Sequence, residues 1–391
     1  MQAATPVTDS ASPPAAQRSR IPKVGIIGAG WGARVQLPKF REQGFEVTAL
    51  WSRGEEKAKE VCAREGIGHA FFGDDTTEIC TCPDVDLVSI VGPAHRRGHA
   101  VSKALQAEKH ILCEKPIACN YPEAKEIAKR VQTITGELNN TQVCLVDFEL
   151  RCVPALRELR DLILTANLIG NVNISVSFTS LRNFAWMQPG VKASHWHYRQ
   201  TGGGCWSAIG IHYVDLVRFL FSEEIQKVSA IQRPMRGIVV AKNGDVPSAD
   251  GMCQAMLVTG RKKISIQMTI NGFNPGLPEE VDEMVICSPK ATIRFDFLTS
   301  ELVIYKNPPP DTATPMEKEM ETKRVIKGEG NAWQDVGTPA LMQRVRAFFE
   351  KDDKNALLNM ATFQDGLRAQ LITDAIHQSA ANDGEWAEVT V

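Results

Sequence analysis

Residues 23–38 have the sequence KVGIIGAGWGARVQLP, and this stretch decides the fold of the 391-residue chain. Its run of Val and Ile is typical of a strand buried on both faces, and the residues that follow have helical spacing. Between them, Gly28 permits a tight turn, Gly30 lets a phosphate approach the backbone, and Ala33 is small enough for close helix-strand packing. The order of strand, turn and helix predicts a dinucleotide-binding loop. Its residues are Gly28, Gly30, Trp31, Gly32 and Ala33.

Strand-like and helix-like segments alternate from this loop to about residue 148. The strands are KVGIIGAG, EVTALWS, DLVSIVGP, HILCEK and TQVCLVDF. Apolar strands separated by helices predict an α/β fold with a doubly wound, Rossmann-type parallel sheet over residues 22–148, preceded by a disordered leader at 1–21. Beyond it, longer alternating segments joined by short turns predict a C-terminal α+β domain, residues 149–391, with a large, open and mostly antiparallel sheet.

Composition narrows the class of ligand. A formal net charge of -2 and the lack of a basic run argue against nucleic acid and anionic membranes as partners. No apolar run approaches the length of a membrane span, so we expect a cytoplasmic protein. Ten cysteines, mostly in apolar contexts, favour reduced thiols, and the pair Cys80 and Cys82 lacks the second pair or His of a metal site. Small molecules are therefore the expected ligands.

The second strand carries information about the cofactor. An acidic residue at its end would bind the ribose 2'-hydroxyl of NAD, but here the strand is followed by Ser52 and Arg53. No carboxylate would repel a 2'-phosphate, and Arg53 and Ser52 both offer donors to it. The sequence therefore favours NADP(H) over NAD(H). The alternative is that Arg53 is a solvated surface residue.

The tripeptide Glu114-Lys115-Pro116 follows a predicted parallel strand. Ligands of open α/β sheets bind at this carboxyl edge, where a partly desolvated lysine has a lowered pKa and exchanges protons with a hydroxyl. Taken alone, such a tripeptide is more often a strand-end turn than a catalytic site.

The segment GGGCWSAIGIHYVDL, residues 202–216, places three glycines before a helix. The glycines would let a ligand approach the backbone and then meet His212, a candidate proton carrier. A packed histidine capped by Asp215, three residues further on, explains the spacing equally well. Nearby, residues 195–197 (HWH) have the pattern of a strand edge with two imidazoles on one side, which is a better interpretation than a metal site.

Together these segments resemble the glucose-fructose oxidoreductase and inositol dehydrogenase (Gfo/Idh/MocA) family, and within it the glucose-fructose oxidoreductase domain-containing proteins. The similar segments are KVGIIGAGWGARVQLP, ALQAEKHILCEKPIA, RCVPALRELRDLI, GGGCWSAIGIHYVDL and FQDGLRAQLITDAI. The resemblance implies a substrate bound between the nicotinamide and the open sheet, and a homodimer or homotetramer formed through that sheet. It implies that Lys115 contacts the reacting hydroxyl and that His212 is the general acid or base.

The resemblance also assigns further contacts. Those expected at the cofactor are Pro93, Arg97, Glu114 and Lys115, and those expected at the substrate are Lys115, Arg151, His197, Ser207 and His212.

Two positions depart from the family pattern. Ala208 lies where the family usually has an aspartate four residues before the histidine, and Ser207, His197 and Asp215 are the candidate replacements. Arg97 lies where many members have a histidine, and it would add positive charge near the nicotinamide ribose or an acidic substrate.

We therefore expect an oxidoreductase that moves a hydride between nicotinamide and a hydroxyl-bearing carbon of a sugar or polyol. Two alternatives stay open: a non-catalytic NADP(H)-binding sensor or scaffold, and a redox-neutral enzyme with a tightly bound cofactor.

Overall fold

The computed structural model describes residues 20–137, 140–235, 246–306 and 323–390. The predicted leader at residues 1–21 lies outside these ranges except for its last two residues. Among the helices of the described ranges, none is long and apolar enough to cross a membrane.

A six-stranded parallel sheet forms the N-terminal part of the molecule, in the order β3-β2-β1-β4-β5-β6. Its strands are β1 (Val24–Ile27), β2 (Val47–Ser52), β3 (His69–Phe72), β4 (Leu87–Ile90), β5 (His110–Glu114) and β6 (Cys144–Asp147). The winding direction reverses between β1 and β4, and ligands of such sheets bind outside the carboxyl ends of the strands at this point. The prediction of a doubly wound sheet is confirmed.

The edge strand β3 escaped the sequence analysis. Its four residues are only partly buried or exposed, so the sequence lacks the apolar run that marks the inner strands.

Five helices accompany this sheet: α1 (Leu37–Glu42), α2 (Glu55–Glu65), α3 (Thr77–Thr81), α4 (Ala94–Gln106) and α5 (Tyr121–Thr135). A π-helical turn, Gly32–Gln36, leads from the glycine loop into α1. Pro38 lies in the first turn of α1, where a residue without an N–H loses no helical hydrogen bond.

A nine-stranded sheet dominates the C-terminal part, in the order β14-β13-β12-β11-β7-β10-β9-β8-β15. Its strands are β7 (Ser175–Leu181), β8 (Ile225–Pro234), β9 (Asp250–Thr259), β10 (Ser265–Asn271), β11 (Val281–Cys287), β12 (Ala291–Asp296), β13 (Leu302–Lys306), β14 (Lys323–Ile326) and β15 (Ala387–Glu388). All described pairings are antiparallel except β7 with β10. The prediction of a large, mostly antiparallel sheet is confirmed.

Four helices complete the described fold: α6 (Pro154–Leu164), α7 (Ile211–Phe221), α8 (Thr338–Lys351) and α9 (Phe363–Ala381). The helices α6, α7 and α9 share a core with the inner face of the large sheet. Helix α8 instead buries Leu341, Met342 and Val345 in the core of the first domain, and α9 also contributes Phe363 to that domain. The last helices therefore connect the two halves of the molecule.

Candidate active site

The glycine loop has the shape that a dinucleotide phosphate requires. Gly28 adopts a φ of +133°, and its N–H donates to the Trp51 carbonyl at 2.9 Å. A Cβ on Gly30 would have no neighbour within 4 Å, so this backbone is open to a ligand. A Cβ on Gly32, in contrast, would lie 2.7 Å from Ile26 Cγ2. The loop therefore fits a pyrophosphate, and the closest helix-strand approach falls on Gly32 rather than on Ala33.

Ser52 is the last residue of β2, and Arg53 follows it. Arg53 is exposed, and no acidic side chain of the described residues pairs with it. Its charge acts on His95, in the first turn of α4: burial, Arg96 and Arg53 together lower the pKa of this histidine. Trp31 is 42% exposed, with the Arg34 guanidinium 5.6 Å from its ring centroid. The Arg34 guanidinium thus places a positive charge next to the exposed Trp31 of the glycine loop.

Lys115 joins the two domains. It follows β5, and its Nζ donates to the Ala208 carbonyl at 2.6 Å, in the π-helical turn Trp206–Gly210 that precedes α7. Burial lowers the pKa of Lys115, while the negative charges of Glu114 and Glu149 oppose that shift. A buried lysine of this kind loses its proton more easily than a surface lysine.

The buried side-chain amide of Gln36 lies at the carboxyl ends of the strands, beside Lys115. Gln36 Nε2 donates to Glu114 Oε1 at 3.1 Å and to Asp147 Oδ2 at 2.9 Å, and its Oε1 accepts from the Ser89 hydroxyl. Burial and the charges of Glu114 and Glu149 raise the pKa of Asp147 well above its usual value. Three carboxyl groups therefore surround one lysine.

The sequence analysis missed Gln36, Asp147 and Glu149. Asp147 ends a predicted strand at the same edge of the sheet as Glu114, and this was the available signal. In the sequence, Gln36 lies just before Pro38 in a segment with the pattern of an ordinary amphipathic helix. Periodicity therefore could not place its side chain in the site, because that placement depends on the π-helical turn.

His212 lies in the first turn of α7 and is 3% exposed. Phe148 and Trp333 contact its ring edge-to-face, with centroids at 5.7 Å and 4.9 Å. Its Nδ1 lies 3.5 Å from Glu149 Oε2. Burial and the charge of Lys115 lower the pKa of His212 well below its usual value, so the ring is neutral. The structure brings the two predicted catalytic residues into one buried site.

Asp215 is not the partner of His212. Its Oδ2 and Oδ1 accept from Arg151 Nε at 2.7 Å and from Arg151 Nη2 at 2.6 Å. The same Nη2 donates to Asp365 Oδ1 at 2.9 Å, which ties α7 to α9. The Arg151 guanidinium is thus engaged in a buried ion-pair network, and Asp215 does not replace the carboxylate absent at Ala208. The substrate contact of Arg151 stays a prediction.

His197 is likewise committed to the protein. It is fully buried, its Nε2 donates to the Trp186 carbonyl at 2.7 Å, and its Nδ1 accepts from the Ser194 N–H at 2.8 Å. Residues His195–His197 form a 3₁₀ turn rather than a strand edge. Both ring nitrogens of His197 thus have protein partners, and its substrate contact stays a prediction. Ser207 is buried in the turn before α7, and its substrate contact stays a prediction.

Arg97 has a structural role, and its contact with the cofactor stays a prediction. Its Nε donates to the Gly92 carbonyl at 2.8 Å, and its Nη1 donates to the Pro116 carbonyl. The buried guanidinium thereby joins the turn after β4 to the turn after β5. Its charge still acts within the site, since it contributes to lowering the pKa of Lys115. Pro93, immediately before α4, stays a predicted cofactor contact.

The triple-glycine loop is packed against protein. A Cβ on Gly202 would lie 2.6 Å from Ala94 Cβ, and one on Gly204 would lie 2.2 Å from Asp250 Oδ1. Asp250 Oδ2 in turn accepts from the Trp206 N–H and from the Cys205 thiol, both at 2.9 Å. The glycines thus bring the start of α7 against the first domain and Asp250, rather than opening the backbone to a ligand.

Within the described ranges, no group of three or more His, Cys, Asp or Glu side chains has an arrangement that could hold a metal ion.

Comparison with known proteins agrees with this architecture. Residues 22–136 match the Gfo/Idh/MocA family, described as "Oxidoreductase family, NAD-binding Rossmann fold". Residues 164–389 match its "C-terminal alpha/beta domain". The chain belongs to this family. The resemblance inferred from the sequence is thereby confirmed.

Relatives and solved structures span nearly the whole chain. Glucose-fructose oxidoreductase domain-containing protein 2 from Xenopus tropicalis is 28% identical, over 94% of both chains. An oxidoreductase domain protein from Kribbella flavida has a TM-score of 0.75 at 20% identity, covering 95% of this chain and 100% of that chain. Levoglucosan dehydrogenase in complex with NADH and levoglucosan has a TM-score of 0.75 at 21% identity, with the same coverage. The solved structures establish the shared fold.

The Arg151 network predicts a stability effect. Replacing Arg151→Met leaves Asp215 buried without its main partner, so we expect the free energy of unfolding to fall by about 3–5 kcal/mol. Urea unfolding followed by circular dichroism measures the loss. Arg64→Met, on the exposed surface of α2, is the matched control and is expected to cost at most about 1 kcal/mol. Similar losses in both variants would contradict the structural role of Arg151.

Proposed function

We propose that the protein is an NAD(P)-dependent oxidoreductase that transfers a hydride between nicotinamide and a hydroxyl-bearing carbon of a sugar or polyol-like substrate. The observation that carries this proposal is the buried site formed by Lys115 and His212 at the carboxyl edge of the parallel sheet, next to an open glycine loop. When bound, the nicotinamide cofactor would accept or supply the hydride.

Residues of the chain would bind the cofactor, orient the substrate and transfer the proton. The backbone around Gly30 would bind the pyrophosphate through its N–H groups. Lys115 Nζ would orient the reacting hydroxyl, and its lowered pKa suits exchange of a proton with that oxygen. His212 would receive or return a proton as general base or acid. Burial between the domains would hold the reacting groups in place and exclude water.

The NADP(H) preference rests on Ser52 and Arg53. Arg53 directly follows β2, is exposed, and has no carboxylate partner among the described residues. A guanidinium in this position pairs with a 2'-phosphate, whereas an acidic residue would repel it.

Replacing Arg53→Ala tests this preference. We expect NADPH binding to weaken by about tenfold to a hundredfold, because a hydrogen bond to a charged group contributes about 1.5–3 kcal/mol. NADH binding should stay nearly unchanged. Fluorescence titration measures both, with Arg64→Ala as the control. Equal weakening for both cofactors would contradict recognition of the 2'-phosphate.

A carbohydrate-like substrate is supported by structural neighbours. Levoglucosan dehydrogenase, with the same fold, has been solved with NADH and levoglucosan, and an aldose-aldose oxidoreductase from Caulobacter crescentus has a TM-score of 0.71 at 17% identity. The neutral imidazole and buried lysine also suit proton exchange with an alcohol.

Turnover on a panel of sugars and polyols tests the reaction, read from the nicotinamide absorbance. Lys115→Met should lower kcat by about a hundredfold to ten-thousandfold while cofactor binding persists, because it removes the group that exchanges a proton with the hydroxyl. Lys103→Met, on the part-exposed surface of α4, is the control. Cofactor binding without turnover on any substrate would favour the sensor or scaffold.

We also propose a homo-oligomer formed through the outer face of the large sheet. Four apolar side chains on strands of that sheet are 39–44% exposed, and we expect the interface to cover them: Ile231, Met256, Tyr305 and Val325. All ten cysteines are free, which supports the proposal of a reducing, cytoplasmic location.

Light scattering after size exclusion tests the assembly. The unaltered chain should have the mass of a dimer or tetramer, and Met256→Lys should shift it toward the monomer by placing a charge in the interface. Lys57→Met, on the opposite domain, should leave the mass unchanged. A monomeric unaltered chain would contradict this assembly.

A further inference from the structure

We propose that Glu149 is the carboxyl partner of His212 and that its protonation state decides which ring nitrogen of His212 carries the hydrogen. Glu149 would thus be a positioning residue that supplies, from the turn after β6, the carboxyl group that Ala208 lacks. Its effect on turnover rests on the proposed function, whereas the contact and the tautomer do not.

Glu149 and His212 lie next to each other in the site. Glu149 begins the 3₁₀ turn Glu149–Cys152 directly after Phe148, and its side chain is only 12% exposed. Its Oε2 lies 3.5 Å from His212 Nδ1, and this buried nitrogen has no hydrogen-bond partner in the part of the chain that the structure describes. A small side-chain movement converts that separation into a hydrogen bond.

Neighbouring residues hold both members of the pair. Phe148 and Trp333 contact the His212 ring edge-to-face. Gly337, in the same π-helical turn as Trp333, approaches Glu149 so closely that a Cβ there would lie 3.1 Å from Glu149 Cγ. One turn of the chain thus restrains both the imidazole and the carboxyl group.

The electrostatic surroundings set the pH at which Glu149 ionises. The charged and titratable groups that act on the pair come from three elements: Glu114 and Lys115 after β5, Asp147 at the end of β6, and Asp215 on α7. Burial and Glu114 raise the pKa of Glu149 to about 8, and Lys115 opposes the shift. Glu149 is therefore a neutral carboxyl group below about pH 8 and a carboxylate above it.

The two states require opposite tautomers of a neutral imidazole. Below about pH 8, the carboxyl O–H donates to Nδ1, so the ring hydrogen lies on Nε2. Above it, the carboxylate accepts from an Nδ1–H, and Nε2 has a free lone pair. The proton lost in this transition goes to solvent.

The tautomer of His212 decides whether the site favours oxidation of an alcohol or reduction of a carbonyl. With Nε2 unprotonated, His212 accepts the proton of a substrate hydroxyl while its Nδ1–H moves to Glu149. An oxidised nicotinamide, when bound, would take up the C–H electron pair as a hydride, and the alcohol would become a carbonyl. With Nε2 protonated, the ring donates to a carbonyl oxygen that receives a hydride from a reduced nicotinamide. Oxidation is thus favoured above about pH 8, and reduction below it.

The full chain without cofactor tests the contact by ¹⁵N nuclear magnetic resonance of its histidine rings, with His212→Gln assigning the signal. We expect the His212 hydrogen to move from Nε2 to Nδ1 as pH rises from about 6 to about 10, with a midpoint near 8. In Glu149→Gln, the carboxamide donates to Nδ1 at every pH, so the Nε2–H tautomer should persist throughout. Glu126→Gln, on the exposed face of α5, should behave as the unaltered chain.

A His212 tautomer that does not change with pH in the unaltered chain would overturn the proposal, as would a Glu149→Gln variant with the same transition. The first of these outcomes is read from the unaltered chain, so it decides the question even if Glu149→Gln fails to fold. Circular dichroism of each variant establishes its folding.

Turnover separates this inference from the proposed function. With an active substrate, Glu149→Gln should lose oxidation at about pH 9 by tenfold or more, and its reduction at about pH 7 should change by only a few fold. Equal losses in both directions would indicate a merely structural role and would overturn the proposal. A tautomer transition in a chain with no turnover would support the Glu149 contact and count against the oxidoreductase.

Discussion

The burial of one positive charge organises the site. Lys115 is half-buried and its Nζ donates to the Ala208 carbonyl, and an ammonium withdrawn from water is costly unless hydrogen bonds and opposite charges surround it. Glu114 and Glu149 supply negative charge near it, yet several carboxylates cannot all ionise in so small a volume. The cluster therefore keeps some of its protons at neutral pH. A lysine that releases its proton easily and carboxyl groups that retain theirs are two results of the same desolvation.

The hydrogen bond from Lys115 also explains why two domains are needed. The parallel sheet presents the lysine at its carboxyl edge, but the accepting carbonyl belongs to the turn before α7 in the other domain. That turn is fixed by Asp250, which accepts from the Trp206 N–H at the end of a strand of the large sheet. The site is thus complete only when both sheets are folded and α7 lies against the first domain.

The sequence predicted those parts of the structure that depend on local pattern. The glycine loop, the parallel and antiparallel sheets, and the positions of Lys115 and His212 follow from periodicity, turn residues and a family resemblance. The errors concern partners that are distant in sequence. Asp215 is only three residues from His212 in the sequence. Its carboxylate nevertheless forms a bidentate contact with the distant Arg151. Glu149 and Gln36 reach the site through a 3₁₀ turn and a π-helical turn, whose side-chain directions differ from those of the regular helices that periodicity assumes.

Helix α8 has a consequence for how the chain can be divided. Its Leu341, Met342 and Val345 cover Leu37 and Phe40 of the first domain, and Arg346 Nη1 donates to the Gln43 carbonyl at 2.9 Å. A fragment that ended near residue 148 would expose this apolar surface to water and would tend to aggregate. The cofactor-binding half is therefore a poor candidate for separate expression, although it resembles an autonomous domain in sequence. The half of the chain that is synthesised first thus depends on the half that is synthesised last to cover its apolar surface.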